Sequence, residues 1–278
     1  MTKDKKTWFI TGTSRGFGRE WTQAALERGD RVAATARNPD RLNDLVEQFG
    51  DQILPLRLDV TDRAADLAAV QAAHKHFGQL DVIVNNAGYG LFGAIEEVSE
   101  AEARAQIETN LFGALWVTQA ALPYLRRSCS GHILQVSSIG GIGAFPMLGL
   151  YHASKWGLEG FSEALSQEVA PFGIKVTIIE LGGFSTDWSG SSAVHATQIA
   201  EYDSLRNARA TRNAGVKISD PTASSAAILK LVDAENPPLR LLLGTFATQA
   251  VPQIYEQRLK VWTEWQDVAR AVDGNCCL

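Results

Sequence analysis

"FITGTSRGFG" spans Phe9–Gly18 and places glycines at positions 12, 16 and 18. The stretch "TWFIT" (7–11) is apolar or β-branched and reads as a strand. The stretch "GREWTQAALERG" (18–29) repeats apolar residues at helical spacing and ends on Gly29, a helix-terminating residue. A strand, a glycine turn and a helix in that order gather backbone N–H groups and the positive end of the helix at one point. That point suits a pyrophosphate. Glycine lets the chain turn sharply there and lets a ligand approach the backbone. The spacing, G-x-x-x-G-x-G, differs from the G-x-G-x-x-G fingerprint. Gly12, Thr13, Ser14, Arg15, Gly16, Phe17 and Gly18 are therefore the first candidate contacts for a dinucleotide.

The same alternation continues outward. Further strands are expected at "RVAATA" (31–36), "ILPLRL" (53–58), "DVIVNN" (81–86), "HILQVS" (132–137), "KVTIIE" (175–180) and "RLLLG" (240–244). Several are apolar nearly throughout, as strands covered on both faces are. Helical patterns lie between them, among them "ADLAAVQAAHKHFG" (65–78), ending on Gly78. This predicts a doubly wound α/β fold with a mostly parallel seven-stranded sheet, in one domain over residues 1–278. Segment 184–216 is polar and rich in small residues, and reads as a lid over a site. A last helical pattern at 254–272 carries Val261, Trp262, Trp265 and Val268, which form a packing face or a subunit contact.

Composition narrows the function. The chain has 278 residues, 45% of them hydrophobic, enough to bury a sizeable core. A net charge of −5 argues against nucleic acid as the main partner. No apolar run reaches the length of a membrane span or a signal peptide, which points to the cytoplasm. Three cysteines, two of them adjacent at Cys276 and Cys277, make no disulfide framework. Neither the cysteines nor His74, His76, His132 and His195 show metal-ligand spacing, so no metal is expected.

Charge at the second strand identifies the dinucleotide. NAD binders place Asp or Glu at its end to bond the ribose 2′-hydroxyl. Here the strand ends "AATARN", with Arg37 at that place and no carboxylate between Arg31 and Pro39. Arg15 and Arg37 form a clamp for a 2′-phosphate, which guanidinium donors match well. The cofactor expected is NADP(H).

Taken with "NNAG" (85–88), "VSS" (136–138), "YHASK" (151–155) and Asn110 in "ETNLFG", the sequence resembles the short-chain dehydrogenase/reductase family over roughly residues 7–245. Each motif is short; their order and spacing make the resemblance specific. It implies a Rossmann fold and a catalytic set of Asn110, Ser138, Tyr151 and Lys155. The chemistry of the residues agrees. Tyr151 and Lys155 are four apart and share one helix face. A nearby ammonium favours the phenolate and lowers its pKa, so Tyr151 exchanges a proton with a carbonyl oxygen. Ser138 polarises that carbonyl with a hydrogen bond. The resemblance further implies that Lys155 bonds the nicotinamide ribose and that Asn110 organises a relay water. It brings Asp59 to the adenine with Val60 beside it, Asn86, Ala87 and Gly88 along the cofactor, and Gly182 and Thr186 to the nicotinamide amide. Asn86 reads equally as a turn-stabilising residue. His152, adjacent to Tyr151, points about 100° away from it on a helix and reads as a surface or packing residue. Leu181 departs from the family, which has proline there. Leucine frees φ and restores an N–H, giving a looser turn beside the nicotinamide pocket.

The function expected is NADP(H)-dependent reduction of a ketone or aldehyde to an alcohol, on a small-molecule substrate. Leu91, Phe92, Phe145, Met147, Leu148 and Trp188 make an apolar substrate pocket. A homodimer or homotetramer is implied by the resemblance. One rival is a 3-oxoacyl-carrier-protein reductase, which wants a basic docking patch; Arg126 and Arg127 are the only adjacent basic pair in the middle region. A rival of another class is a non-catalytic protein that senses NADP(H).

Overall fold

The computed structural model describes residues 5–186, 188, 190, 192–213 and 218–272. Cys276, Cys277 and parts of the 184–216 segment lie outside them. In chain order the elements are β1 (Thr7–Ile10), α1 (Gly16–Glu27), β2 (Arg31–Ala36), α2 (Asn43–Phe49), β3 (Ile53–Arg57), α3 (Arg63–Phe77), β4 (Val82–Asn85) and β5 (Leu91–Phe92). There follow α4 (Glu100–Ile107), α5 (Gly113–Ser128), β6 (Gly131–Val136), α6 (Gly149–Val169), β7 (Ile174–Leu181), β8 (Val194–His195), α7 (Asp203–Asn213), α8 (Ser224–Asp233), β9 (Arg240–Leu243), α9 (Thr245–Glu264) and α10 (Gln266–Ala271).

Seven strands form one sheet in the order β3-β2-β1-β4-β6-β7-β9, with every pairing parallel. All seven expected strands are in it. The strand order reverses between β1 and β4, and ligands bind at the carboxyl ends of strands at such a switch point. Both faces are covered, which explains why the strands are apolar throughout. On one face Trp8 and Ile10 pack with Trp21, Leu26 and Ile228. On the other, Phe9 packs with Val70, Ile83, Val117 and Leu125. Alternate residues of a single strand thus feed two cores. The edge strand β3 carries Pro55 opposite Ala34.

Outside this sheet, β5 and β8 pair in parallel, joining the loop after β4 to the segment expected to be a lid. Gly29 (φ 94°) and Gly78 (φ 80°) end α1 and α3 in the left-handed region, as their positions predict.

The packing face expected on the last helix needs correction. α9 is anchored by its first half, where Ala247 and Val251 are buried with Ile139 and Ile142. Its outer half and α10 leave Trp262 and Trp265 each 63% exposed, and Val261 and Val268 exposed as well. The helix outlasts the core beneath it, so these side chains stay largely open to solvent.

Candidate active site

The glycine turn is built from strain that only glycine carries cheaply. Gly12 and Gly16 adopt φ of 70° and 58°. A Cβ on Gly18 would lie 2.4 Å from the Gly12 carbonyl oxygen, so α1 starts hard against the turn. A Cβ on Gly16 would have no heavy atom within 4 Å, so the turn is open on its outer side. Arg15 is the N-cap of α1 and makes no side-chain cap, which leaves the first-turn N–H groups directed at that opening. These features fit a pyrophosphate.

Two side chains brace the turn. The Asn86 amide donates to the carbonyls of Thr11 (2.8 Å) and Gly12 (3.1 Å). Of the two readings of Asn86, the geometry displays the turn-stabilising one. The Thr11 hydroxyl accepts from the N–H groups of Asn86 and Ala87, both at 2.9 Å, a role the sequence reading missed. Thr13 is buried and turned away from the opening, its hydroxyl donating to the Thr35 carbonyl at 3.1 Å. Ser14 and Phe17 are half-buried, and Phe17 packs edge-on to Phe184. Arg15 and Arg37 are both exposed, on the segments that leave the adjacent strands β1 and β2. Asp59 follows β3, exposed, and accepts from Thr61. Val60 is buried against Gly113.

Beside this opening lie the residues of the expected catalytic set. α6 presents Tyr151 and Lys155 on one face, with the ammonium 5.9 Å from the phenol ring centroid. Lys155 is buried and donates to the Val136 carbonyl at 2.7 Å. Val136 ends β6 and leads to Ser138, whose hydroxyl accepts from the Gly140 N–H. A Cβ on Gly88 would lie 3.0 Å from Asn110 Oδ1 and 3.7 Å from Lys155 Nζ, so this glycine keeps those two groups together. Asn110 sits in a π-helical turn, Glu108–Phe112, between α4 and α5. Such turns widen a helix locally and recur at functional sites. Its side chain is buried and fully engaged: it accepts from the Tyr89 N–H (3.0 Å) and donates to the Tyr89 carbonyl (2.9 Å) and Ser154 (3.2 Å). The amide therefore holds the loop after β4 against α6.

The electrostatics differ from expectation. The phenol was expected to be lowered by Lys155. Burial instead pushes Tyr151 up to about 12, with Ser138 acting against the rise and Glu159 adding to it. Burial also pushes Lys155 down to about 8, while Glu159 opposes this. Both charged forms lose hydration in the same enclosed place, and that loss outweighs their mutual attraction. His152 is buried rather than on the surface, and serves packing. Its Nδ1 pairs with the Gly140 carbonyl and its Nε2 accepts from the Phe145 N–H, both at 3.0 Å.

Leu181 gives no looser turn. It is the last residue of β7, paired with Leu243, and is buried in the core that includes Ile179 and Leu231. Gly182 continues the ladder by donating to the Leu243 carbonyl at 2.9 Å. Thr186 is half-buried, its hydroxyl 3.4 Å from the Trp188 N–H.

A cavity of about 250 Å³ lies beside the site, between the loop after β4 and α7. Of the expected pocket residues, Phe92 and Met147 line it. Trp188 stands between Tyr151 (4.9 Å between ring centroids) and Phe92 (5.1 Å). Leu91 and Leu148 are buried away from this cavity, and Phe145 packs against His152 and the Ile139–Ile142 cluster. Gly93 and, from the 184–216 segment expected to cover the site, His195, Arg206 and Arg209 also line it, together with Glu97, which sequence reading missed. Glu97 and Arg206 form a buried ion pair that fastens α7 down. Bonds from the Ile199 N–H and from Arg206 hold the Glu97 carboxyl well below the usual range. The partners are 109 residues apart, and no local pattern links them.

The comparisons with known proteins bear on this arrangement. The family model for short chain dehydrogenases matches residues 6–196. "Oxidoreductase BOA17" of Botryotinia fuckeliana is 43% identical over 270 residues, covering 96% of this chain and 98% of that protein. The crystal structure of a short-chain dehydrogenase from Streptomyces avermitilis superposes with a TM-score of 0.91 at 37% identity, covering 98% of this chain and 100% of that one. An alcohol dehydrogenase from the archaeon Thermococcus sibiricus, solved in complex with 5-hydroxy-NADP, gives a TM-score of 0.73 at 26% identity, covering 86% of this chain and 96% of that one. A match that runs from the glycine turn through the Tyr151–Lys155 helix, joined to the same whole-chain fold, places the chain in the short-chain dehydrogenase family.

Proposed function

We propose that the protein is an NADP(H)-dependent oxidoreductase that reduces a ketone or aldehyde carbonyl to an alcohol, reversibly. The observation that carries this reading is the convergence of Tyr151, Lys155, Asn110 and Gly88 beside an open glycine turn at the sheet's switch point. The N–H groups at the start of α1 hold the pyrophosphate, and Arg15 and Arg37 hold the 2′-phosphate. Asp59 and Val60 flank the adenine; Ala87, Gly88, Gly182 and Thr186 border the nicotinamide half. When bound, NADPH supplies a hydride. The Tyr151 phenol, protonated at neutral pH like any tyrosine and held so more firmly by its burial, gives its proton to the carbonyl oxygen. Ser138 donates to that same oxygen, and Lys155 steadies the resulting phenolate. Asn110 keeps the loop bearing Gly88 in place.

The segment from 184 acts as the lid, with Trp188 closing over Tyr151. Phe92, Met147 and Trp188 suit a small apolar substrate. We place the protein in the cytoplasm, as a homo-oligomer paired through α5 and α6; no described helix is long and apolar enough to cross a membrane. Arg126 and Arg127 lie at the end of α5 that leads into the start of β6, at the amino ends of the strands, opposite the carboxyl ends that border the site. A carrier protein docked there would not reach Tyr151, which disfavours the acyl-carrier reading.

The test is NADPH consumption over a panel of ketones, aldehydes and ketoesters, with Tyr151→Phe in parallel. Turnover should fall by about 10²- to 10⁴-fold in the variant, with NADPH binding kept. Tight NADPH binding with no turnover by either protein would replace the enzyme reading with that of a sensor.

A further inference from the structure

Behind the Tyr151–Lys155 pair lies a buried charged cluster that the reaction as written does not use. Glu159 follows Lys155 by four residues and Tyr151 by eight, so all three share one face of α6. The Glu159 carboxylate is buried, and its Oε1 accepts from the Ser137 hydroxyl at 2.6 Å. Ser137 directly precedes Ser138. A Cβ on Gly141 would fall 2.0 Å from Glu159 Oε1, so the carboxylate lies flat against the Ile139–Gly141 turn that follows Ser138. On its other side, Glu159 Oε2 accepts from Arg240 at 2.5 Å. Arg240, at the start of β9, also binds Glu180 of β7 (2.7 Å) and Glu163 of α6 (2.9 Å). The groups facing Glu159 are thus Tyr151, Lys155 and Glu163 on its own helix, Ser137 on the serine loop, Glu180 on β7 and Arg240 on β9.

We propose that Glu159 is a positioning residue of the reaction: its carboxylate ties the Ser137–Ser138 loop to the helix face bearing Tyr151 and Lys155, and it places a negative charge on that face. The proposal rests on the oxidoreductase reading above. Two contacts serve two purposes. The Ser137 bond fixes where the Ser138 hydroxyl stands relative to the phenol. The Arg240 bond gives the carboxylate a cationic partner where hydration is lost, as a buried charged group requires. A negative charge on that face favours the neutral phenol and the charged ammonium.

The experiment compares Glu159→Gln and Ser137→Ala with wild type. Glu159→Gln keeps an acceptor of the same size and removes the charge. The limb of the alcohol-oxidation pH profile that rises with phenol ionisation should move down by about one pH unit, the effect expected of a charge about 12 Å away along a helix. Ser137→Ala leaves the charge paired and should lower kcat about tenfold without moving that limb, NADPH affinity being kept. A limb that stays in place in Glu159→Gln overturns the proposal, as does wild-type kcat in Ser137→Ala. If Glu159→Gln does not fold, the kcat of Ser137→Ala decides alone. If the wild type turns over none of the panel, the oxidoreductase reading has failed, and Glu159 is tested separately. NMR titration of the Lys155 ammonium, assigned through Lys155→Arg, should then move down in Glu159→Gln or, for a protein that does not fold as Gln, in Glu159→Met, which also removes the charge. An unmoved titration overturns the coupling.

Discussion

Arg37 stands where an acidic residue would reject a 2′-phosphate, and its guanidinium is exposed at the end of β2. Charge-assisted hydrogen bonds of this kind contribute about 1.5–3 kcal/mol. Arg37→Ala should therefore weaken NADPH binding about 10- to 100-fold and leave NADH binding within about twofold, measured by cofactor fluorescence titration. Equal weakening of both would remove the 2′-phosphate clamp. Residues of this type were legible because their chemistry is local: a glycine at a turn, an arginine at a strand end, a tyrosine and lysine four apart. Thr11 was not, because its task is to accept from Asn86 and Ala87, far along the chain. Leu181 was misread for a related reason. Its side chain is committed to a core that becomes visible only when β7 and β9 are paired.

Elements came through more unevenly. The strands were legible because burial on both faces leaves long apolar runs, and Gly29 and Gly78 marked helix ends. The segment after Phe184 was read as one polar stretch, yet it contains β8 and α7, held by pairing with β5 and by the Glu97–Arg206 ion pair. Neither contact leaves a periodic trace in sequence. The contact of this segment with the loop after β4 gives a test. A Cβ on Gly90 would lie 2.6 Å from the Trp188 ring and 3.1 Å from that of Phe92. Gly90→Ala must displace the indole from Tyr151. Loss of one aromatic contact, about 1.4 kcal/mol, should raise KM for the carbonyl substrate about tenfold while changing NADPH affinity little. An unchanged KM would show that Trp188 does not close over the substrate.

On the scale of the whole molecule, a buried carboxyl makes stability depend on pH. Asp66, in the first turn of α3, is buried with neither carboxyl oxygen hydrogen-bonded. Burial, aided by Asp62 and Asp59, pushes its carboxyl up to about 8. The folded state thus holds this proton more tightly than the unfolded chain. The contribution is fully present below about pH 4 and is lost as pH rises toward about 8. Asp66→Asn should flatten the fall in Tm between about pH 5 and pH 8.5, and wild-type and variant curves of equal slope would contradict this. The parallel sheet also has a consequence at its margins. Open sheets can be lengthened by a strand from a neighbouring molecule, the first step toward fibrous aggregates. Pro55 interrupts the outer rim of β3, because proline has no N–H to offer an incoming strand. At the opposite rim, β9 runs through Gly244 straight into α9, whose first half folds back onto Leu242 and the Ile139–Ile142 cluster. In crowded solutions Pro55 thereby withholds a donor from any strand that arrives at the β3 rim.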